Sequence, residues 1–379
     1  MKKIVILGST GSIGKNAIEV IKNFQDKFSV YGIAAANSVD LLAAQVMELN
    51  CKHVVCSKDS AAKLKNKVSD SVEIESGIGG MVKLVTAKEV DIVLCAVVGT
   101  SALLPILEAI KAKKDIAIAS KEILVMAGEL VMKEAKRNNV KLIPVDSEHC
   151  AIFQCLEGKS HADLSKVILT ASGGPFRTWK SSEIEKATYE QALNHPTWSM
   201  GPKITLDSAS LMNKALEIIE AKWLFNLRPE QIDVIIHPQS IIHSMVEFKD
   251  GTILAQMSIT DMKFPIQYAL SYPEKLVGLK SLCLSDLKEI TFEKPDKLKF
   301  PSLDFAYYAL NELGTMPAVM NAANESAVIL FQNKKIRFSQ IWKIIESTMS
   351  AHKNIKTPSL DEIISADAWA KEYALNLKL

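Results

Sequence analysis

The sequence lacks any long run of one charge: 45 basic and 43 acidic residues are interspersed and leave a net charge of +2. That balance argues against nucleic acid or an anionic membrane surface as the main partner. It also lacks an apolar run of the length needed to span a bilayer. The opening MKKIVILGSTG starts like a signal peptide, but its apolar stretch stops at Gly8. Its cysteines (Cys51, Cys56, Cys95, Cys150, Cys155 and Cys283) contain no C-x-x-C spacing. Neither a zinc knuckle nor a disulfide framework is therefore indicated, and a reducing cytoplasm fits. Repeats and low-complexity segments are absent as well. What is present is an ordinary globular composition on 379 residues, too long for one typical core and enough for two or three domains.

Residues 3–7, KIVIL, read as a buried strand running into GSTGSIG at 8–14 and then an amphipathic helix over 15–24. In that context glycines let the backbone approach a pyrophosphate, and the helix N-terminus supplies a favourable field. The spacing is G-x-x-G-x-x-G, a variant of the dinucleotide fingerprint. A tight strand–helix turn without a ligand has the same letters. Strands at 28–35, 52–56, 90–97, 115–120 and 140–145 then alternate with helices at 39–49, 59–67, 101–113 and 122–138. Repeated βα units predict a mostly parallel, doubly wound sheet. The second strand ends in Ala34-Ala35-Ala36-Asn37-Ser38, without the acid that would bond the ribose 2′-OH of NAD. NADP is favoured, with a small preference, because no Lys or Arg stands there either.

Several polar clusters carry possible chemistry. ASKE at 119–122 lies where the carboxyl edge of a parallel sheet meets its ligand crevice, although Lys121 and Glu122 also read as a plain pair at a helix start. The strand 141–145 ends in Asp146-Ser147-Glu148-His149. In extended chain, residues two apart share a side, so Asp146 and Glu148 are expected to present two carboxylates together. Such a pair shares a proton or a cation, and all-oxygen ligation favours Mg²⁺ or Mn²⁺ over zinc. A lone D-x-E equally suits a solvated turn or a helix cap, and His149 reads as a packing or hydrogen-bonding histidine.

A strand at 167–172 leads into SGGPF, 172–176, whose turn exposes N–H groups to an anion. NHPTWSMGP at 194–202 suggests a loop that covers something; the alternative is a loop that Trp198 anchors to the core. Residues 203–225 read as a short strand followed by a helix, with Asp207, Ser208 and Ser210 at the helix start. Asn213 and Glu217 are one turn apart and Lys214 lies three before Glu217, so the three converge on one rim. Serines, an amide and an ammonium at a helix N-terminus suit a phosphate, and a carboxylate further in suits a metal beside it. A capped surface helix with an ordinary Lys–Glu pair is the plain alternative. Strands at 232–236, 241–248 and 252–259 predict an antiparallel sheet with His237 and His243 near its turns. A loop over 285–300 precedes helices at 303–313, 317–332, 338–350 and 360–376. Asn321, Asn324 and Glu325, on an otherwise apolar helix, read as mainly structural.

Taken in order, GSTGSIG, ASKE, PVDSEH, SGGPF, HPTWSMG, DSASLMNKALEIIEA and HPQSIIHSMVEF closely resemble the motifs of the 1-deoxy-D-xylulose 5-phosphate reductoisomerase family. The resemblance covers nearly the whole chain. It implies an NADPH-dependent enzyme of non-mevalonate isoprenoid synthesis that uses Mn²⁺ or Mg²⁺ and forms 2-C-methyl-D-erythritol 4-phosphate. The implied fold is α/β: an N-terminal Rossmann-type doubly wound parallel sheet binding NADP (1–146), a central α+β catalytic domain (147–290) and a C-terminal helical domain (300–379). The catalytic domain carries the metal site and a mobile loop at 195–202. A cytoplasmic homodimer acting on a phosphosugar, with no nucleic acid or membrane partner, is implied too.

Residue by residue, the resemblance makes Asp146, Glu148 and Glu217 metal ligands and catalytic groups, with Lys121 beside them. It makes Ser147, Glu148, Ser172, His195, Ser208, Asn213, Lys214 and Glu217 substrate contacts. It makes Thr10, Gly11, Ser12, Ile13, Ala36, Asn37, Ser38, Ser120, Glu122 and Gly201 cofactor contacts. Two departures bear on the cofactor: the family commonly has Gly-Lys-Asn in place of Ala36-Asn37-Ser38, and Asn in place of Ser120. Two other readings are a Rossmann-type sugar-phosphate dehydrogenase or isomerase without rearrangement, and a catalytically silent nucleotide-binding regulator. The silent regulator would have no use for three carboxylates, and product analysis separates the dehydrogenase.

Overall fold

The computed structural model describes residues 1–198 and 200–378. In chain order the elements begin β1 (Lys2–Leu7), α1 (Ser12–Asn23), β2 (Phe28–Ala34), α2 (Val39–Glu48), β3 (His53–Cys56), α3 (Lys58–Lys65), β4 (Glu73–Ser76) and α4 (Gly77–Val85). They continue β5 (Ile92–Cys95), α5 (Leu103–Lys111), β6 (Asp115–Ile118), α6 (Lys121–Asn138), β7 (Leu142–Pro144) and α7 (Ser147–Leu156). Next come β8 (Leu164–Ala171), α8 (Ser181–Ile184), α9 (Tyr189–Ala192), α10 (Pro202–Ala209), α11 (Met212–Phe225), β9 (Ile232–Ile236), β10 (Ile242–Phe248) and β11 (Ile253–Met257). The last are α12 (Lys263–Ser271), α13 (Ser302–Glu312), α14 (Met316–Gln332), α15 (Gln340–Ala351) and α16 (Leu360–Asn376). Two compact units result. One comprises Met1–Ile123, Glu129–Cys150 and Asp261–Leu279; the other comprises Leu124–Gly128, Ala151–Thr260 and the chain from Lys280 onward. No described helix is long and apolar enough to cross a membrane.

The first unit holds a seven-stranded sheet of order β4-β3-β2-β1-β5-β6-β7, parallel throughout. This is the doubly wound sheet the βα alternation predicts. Ile4, Val5, Ile6 and Leu7 of β1 are wholly buried, as expected for a central strand covered by helices on both faces. The strand order reverses between β1 and β5, which opens a crevice at the carboxyl ends of these strands. One βα unit, β4–α4, has no counterpart in the expectation. Its strand is four mostly polar residues at the sheet edge, and its helix carries three glycines, so both elements fall below the usual signals.

The second unit is built on a four-stranded sheet of order β11-β10-β8-β9. Here the expectation of an antiparallel sheet needs correction: β10 runs antiparallel to β8 and β11, whereas β9 pairs parallel to β8. The crossover between β8 and β9 contains α8 to α11, ample chain for a parallel return. The helices α13 to α16 form the expected helical C-terminal region. Phe338 centres an aromatic cluster, with rings of Phe176, Phe331 and Trp342 at 5.0, 5.4 and 5.4 Å in edge-to-face contact. Phe176 belongs to SGGPF, so this packing anchors that turn from below.

Two local expectations also change. The segment 203–206 is no strand: α10 starts at Pro202, where a missing N–H costs nothing in a first helical turn. Asp207 and Ser208 therefore occupy its last turn rather than the start of the next helix. The chain then breaks at Leu211, held at φ +60°, a left-handed conformation rare for leucine, before α11 begins. Likewise 146–149 is not extended. Ser147 opens α7, and Cys150 N–H donates to Asp146 O at 2.8 Å, so Asp146 stands at the helix N-cap.

Candidate active site

Thr10 and Gly11 lie in the turn after β1, and Ser12 and Ile13 open α1. No side chain caps α1, so its first N–H groups are open to an anion. Gly8 sits at φ +90°, and a Cβ there would lie 2.4 Å from Ala96 O. The glycine thus lets the turn after β1 close against the turn after β5. A Cβ on Gly14 would lie 2.3 Å from Gly8 O, whereas one on Gly11 would meet only Gly8 O at 3.4 Å. The backbone is tight beneath and open above, the cradle a pyrophosphate needs.

Ala36, Asn37 and Ser38 are exposed after β2. Asn37 Oδ1 accepts from Ser57 Oγ at 3.2 Å, which leaves its Nδ2 as a donor. Ser120 turns inward instead: its hydroxyl donates to Val97 O at 2.5 Å and is itself buried. Glu122 is buried in the first turn of α6. Gly201, in the other unit, is the N-cap of α10, with nothing near its Cβ position.

In the first unit the Lys121 ammonium pairs with Asp146 Oδ2, and Ser147 Oγ donates to Glu148 Oε2 at 2.5 Å. His149 Nδ1 lies 3.9 Å from Asp146 Oδ1. Burial opposes ionisation of Asp146, yet the charges of Lys121 and His149 hold its carboxyl well below the usual carboxylate range. The positive end of α7 acts in the same direction. Asp146 and Glu148 thus place two carboxyl groups at one helix start, a hard-oxygen donor set suited to Mg²⁺ or Mn²⁺.

In the second unit Ser172, His195 and Ser208 come together from three segments. His195 Nε2 lies 3.0 Å from both serine hydroxyls. Its Nδ1 accepts backbone N–H groups of Thr197 at 3.2 Å and Trp198 at 2.9 Å. With Nδ1 so used, the neutral ring carries its proton on Nε2. One hydroxyl takes that proton as acceptor, and the serine protons remain free for an anion. Gly174 N–H donates to Ser172 Oγ at 3.2 Å and fixes the hydroxyl. A neighbouring cavity of about 440 Å³ is bordered by Ser172, Gly174 and His195. One turn into α11, Glu217 accepts from Asn213 Nδ2 and, at 2.5 Å, from Lys214 Nζ. Lys214 and Glu217 are almost wholly buried, and the ion pair satisfies part of the polar demand of each. Of the loop 195–202, Ser199 lies outside the described residues. Trp198 is half-buried, its ring 6.1 Å from that of His243.

Burial pushes His195 and His243 down to about 4 from an ordinary 6.5. Between these values the unfolded chain holds protons on both rings that the folded chain refuses. Their contribution therefore lowers stability as pH falls from 6.5 towards 4 and is constant above 6.5. An NMR titration of the imidazole C–H signals should leave both residues unprotonated at pH 5.5. Midpoints near 6.5 would contradict the burial argument.

Sequence reasoning placed Asp207 at a helix start and missed its partners. Asp207 is buried between Lys203 Nζ at 2.7 Å and Asn324 Nδ2 at 2.9 Å. The i,i+4 spacing of Lys203 and Asp207 was the available signal once 203–206 is taken as helix; the tie to Asn324 spans 117 residues and has none.

Comparison with known proteins follows the same segments. The family model of 1-deoxy-D-xylulose 5-phosphate reductoisomerase matches residues 4–128, that of its C-terminal domain matches 142–225, and a DXP reductoisomerase C-terminal domain matches 257–373. The 1-deoxy-D-xylulose 5-phosphate reductoisomerase of Thermoanaerobacter pseudethanolicus is 52% identical over 375 residues, 98% of either chain. That of Thermodesulfovibrio yellowstonii is 52% identical over 376 residues, 99% of this chain and 98% of its own. A crystal structure of DOX-P reductoisomerase with NADPH, fosmidomycin and magnesium superposes with a TM-score of 0.94 at 37% identity, covering 99% of this chain and 97% of that one. The Zymomonas mobilis enzyme in complex with NADPH gives 0.91 at 39% identity, covering 99% and 98%. A glycine cradle, paired carboxylates and a serine–histidine cluster thus stand in a chain matched almost end to end, and the chain belongs to the 1-deoxy-D-xylulose 5-phosphate reductoisomerase family.

Proposed function

We propose that this protein converts 1-deoxy-D-xylulose 5-phosphate into 2-C-methyl-D-erythritol 4-phosphate, using NADPH and Mn²⁺ or Mg²⁺, in the non-mevalonate route to isoprenoids. The observation that carries this reading is the His195 imidazole held between the hydroxyls of Ser172 and Ser208. Two serines oriented by one neutral ring, with free protons to donate, form an anion receptor sized for a phosphoryl group. Asn213 and Lys214, at the N-terminal end of α11, add an amide, a point charge and the helix field. Binding energy from the phosphate is remote from the reacting carbons and holds them in register.

Asp146, Glu148 and Glu217 are the residues that hold the divalent cation in this reading. Their all-carboxylate chemistry fits a hard ion, and Lys121 and Lys214 pair with Asp146 and Glu217. When bound, the cation supplies the Lewis acidity that rearrangement of a hydroxyketone requires. NADPH supplies the hydride that reduces the rearranged aldehyde. Thr10, Gly11, Ser12 and Ile13 seat its pyrophosphate; Ala36, Asn37 and Ser38 face its 2′-phosphate; Ser120, Glu122 and Gly201 complete the cofactor contacts. Asn37 offers that phosphate a neutral donor where a cation would bind more strongly, so the preference over NADH is modest. The loop 195–202 closes over substrate, with Trp198 and Met200 excluding water and His195 reaching the phosphate. Ser147 and Glu148 complete the substrate contacts.

A homodimer is part of the proposal. The edge strand β11 exposes Ile253 and Leu254, which a second copy would cover. A cytoplasmic location agrees with six free cysteines.

The test is to incubate the purified protein with 1-deoxy-D-xylulose 5-phosphate, Mn²⁺ and either NADPH or NADH, and to identify the product by NMR. NADPH oxidation should depend on substrate and yield the branched tetritol phosphate. A linear, unrearranged reduction product would sink the reading.

A further inference from the structure

Three C-terminal helices bond the residues on either side of Ser208. From α14, Asn324 donates to Asp207 Oδ1 at 2.9 Å, while Lys203 holds Oδ2 at 2.7 Å. From α13, Ser302 Oγ donates to Ser210 O at 2.7 Å. From α15, Trp342 Nε1 reaches the same carbonyl at 3.3 Å and Ser302 Oγ at 2.9 Å. Asp207, Ser210, Ser302 and Asn324 are all essentially buried, where hydrogen bonds are well defined and unmade ones are costly. Asn324 Oδ1 has no hydrogen-bond partner among the described residues, so this end of the amide contributes no tie that would explain its burial.

The placement of these bonds matters because α10 and α11 are joined at Leu211, whose left-handed backbone is intrinsically unfavourable. Nothing in a leucine's own preference keeps the last turn of α10 in the rotation that points Ser208 Oγ at His195. The strain persists only where the surroundings over-determine it, and the bonds to Asp207 and Ser210 are two such restraints, one on each side of Ser208.

We infer that Asn324 is a positioning residue for the substrate phosphate: through the Asp207 carboxylate it fixes the rotation of the last turn of α10, and so the direction of the Ser208 hydroxyl. Ser302 does the same from the other side through the Ser210 carbonyl. The helical C-terminal region thereby takes part in phosphate recognition without touching the ligand. A merely structural role would weaken the fold and lower turnover of every substrate alike. A positioning role falls on the phosphate alone.

The inference rests on the reductoisomerase reading, and the experiment separates the two. Wild-type enzyme with NADPH and Mn²⁺ is assayed on 1-deoxy-D-xylulose 5-phosphate and on unphosphorylated 1-deoxy-D-xylulose; absence of turnover on the first defeats the parent reading. Asn324→Leu, branched alike but without a donor, should lower kcat/KM for the phosphorylated substrate about tenfold, chiefly through KM. It should leave the unphosphorylated substrate within about twofold. Calorimetric titration with inorganic phosphate as probe should show about the same tenfold weakening, independent of turnover. Ser302→Ala, which leaves the Trp342 bond to Ser210 O in place, is the second variant should Asn324→Leu not fold. It should show the same selectivity at about threefold. Equal losses on both substrates, or unchanged phosphate affinity in a folded variant, would overturn the inference.

Discussion

Glu217→Gln is expected to lower kcat/KM by about a thousandfold or more, on the order of 4 kcal/mol of transition-state stabilisation, while NADPH affinity changes less than twofold. The substitution keeps size and shape and removes one negative charge. Glu217 is wholly buried, and its two oxygens already accept from Asn213 and Lys214. Glutamine still accepts one of these bonds but offers a cation a neutral oxygen in place of a carboxylate. It also removes the charge of the carboxylate paired with the buried Lys214 ammonium, which costs the fold about 3 kcal/mol because the amide oxygen remains as a partner. Activity should therefore fall far more than stability. Metal titration distinguishes the causes: raising Mn²⁺ should recover part of the lost rate if Glu217 is a ligand. Normal turnover of Glu217→Gln at limiting Mn²⁺ would remove Glu217 from the metal site.

The residues legible in the sequence were those whose role is set by local chemistry. The GSTGSIG turn, the carboxylates at the start of α7, and the Asn213-Lys214-Glu217 rim are each contained in a short stretch of chain, so spacing points to them. Hydrophobic runs such as Ile4–Leu7 announced the parallel sheet in the same way. The errors came where one local signal serves two structures. Ile204 and Leu206 alternate as in a strand, yet the same letters after Gly201-Pro202 open a helix, and the proline at the first position was the better guide. Asp146-Ser147-Glu148 is both a strand end and an N-cap sequence; here the helix forms, with Cys150 N–H bonded to Asp146 O. Other features had no local signal at all. The parallel pairing of β9 depends on a long crossover, the left-handed Leu211 contradicts leucine's own preference, and the C-terminal partners of Asp207 and Ser210 lie about a hundred residues away. The helix carrying Asn324 could be read as apolar and structural, but not as a neighbour of the serine–histidine cluster.

Gly174→Ala is expected to lower kcat/KM for the phosphosugar by about a hundredfold to a thousandfold without weakening NADPH binding. Gly174 sits at φ +69°, and a Cβ there would lie 2.6 Å from Ser208 O and 3.2 Å from Ala209 Cα. The contact is backbone against backbone, so no side chain can swing away. Left-handed alanine adds about 1 kcal/mol of conformational cost. Relief requires the SGGPF turn to move off α10, while Phe176, packed against Phe338, holds the far end of the same turn in place. The strain then falls on the Gly174 N–H bond to Ser172 Oγ and on the shared contact of Ser172 and Ser208 with His195. Weakening, short of full loss, of two hydrogen bonds to a charged phosphate worth about 1.5–3 kcal/mol each gives about 3–4 kcal/mol, the expected range. The cofactor turn is in the other unit and its glycines are untouched, so NADPH titration serves as the internal control. A variant that binds inorganic phosphate and turns over like the wild type would show that Ser172 and Ser208 need not meet on His195, and the anion receptor would have to be sought elsewhere. Equal weakening of NADPH and phosphosugar would instead mark Gly174 as a residue of the fold at large.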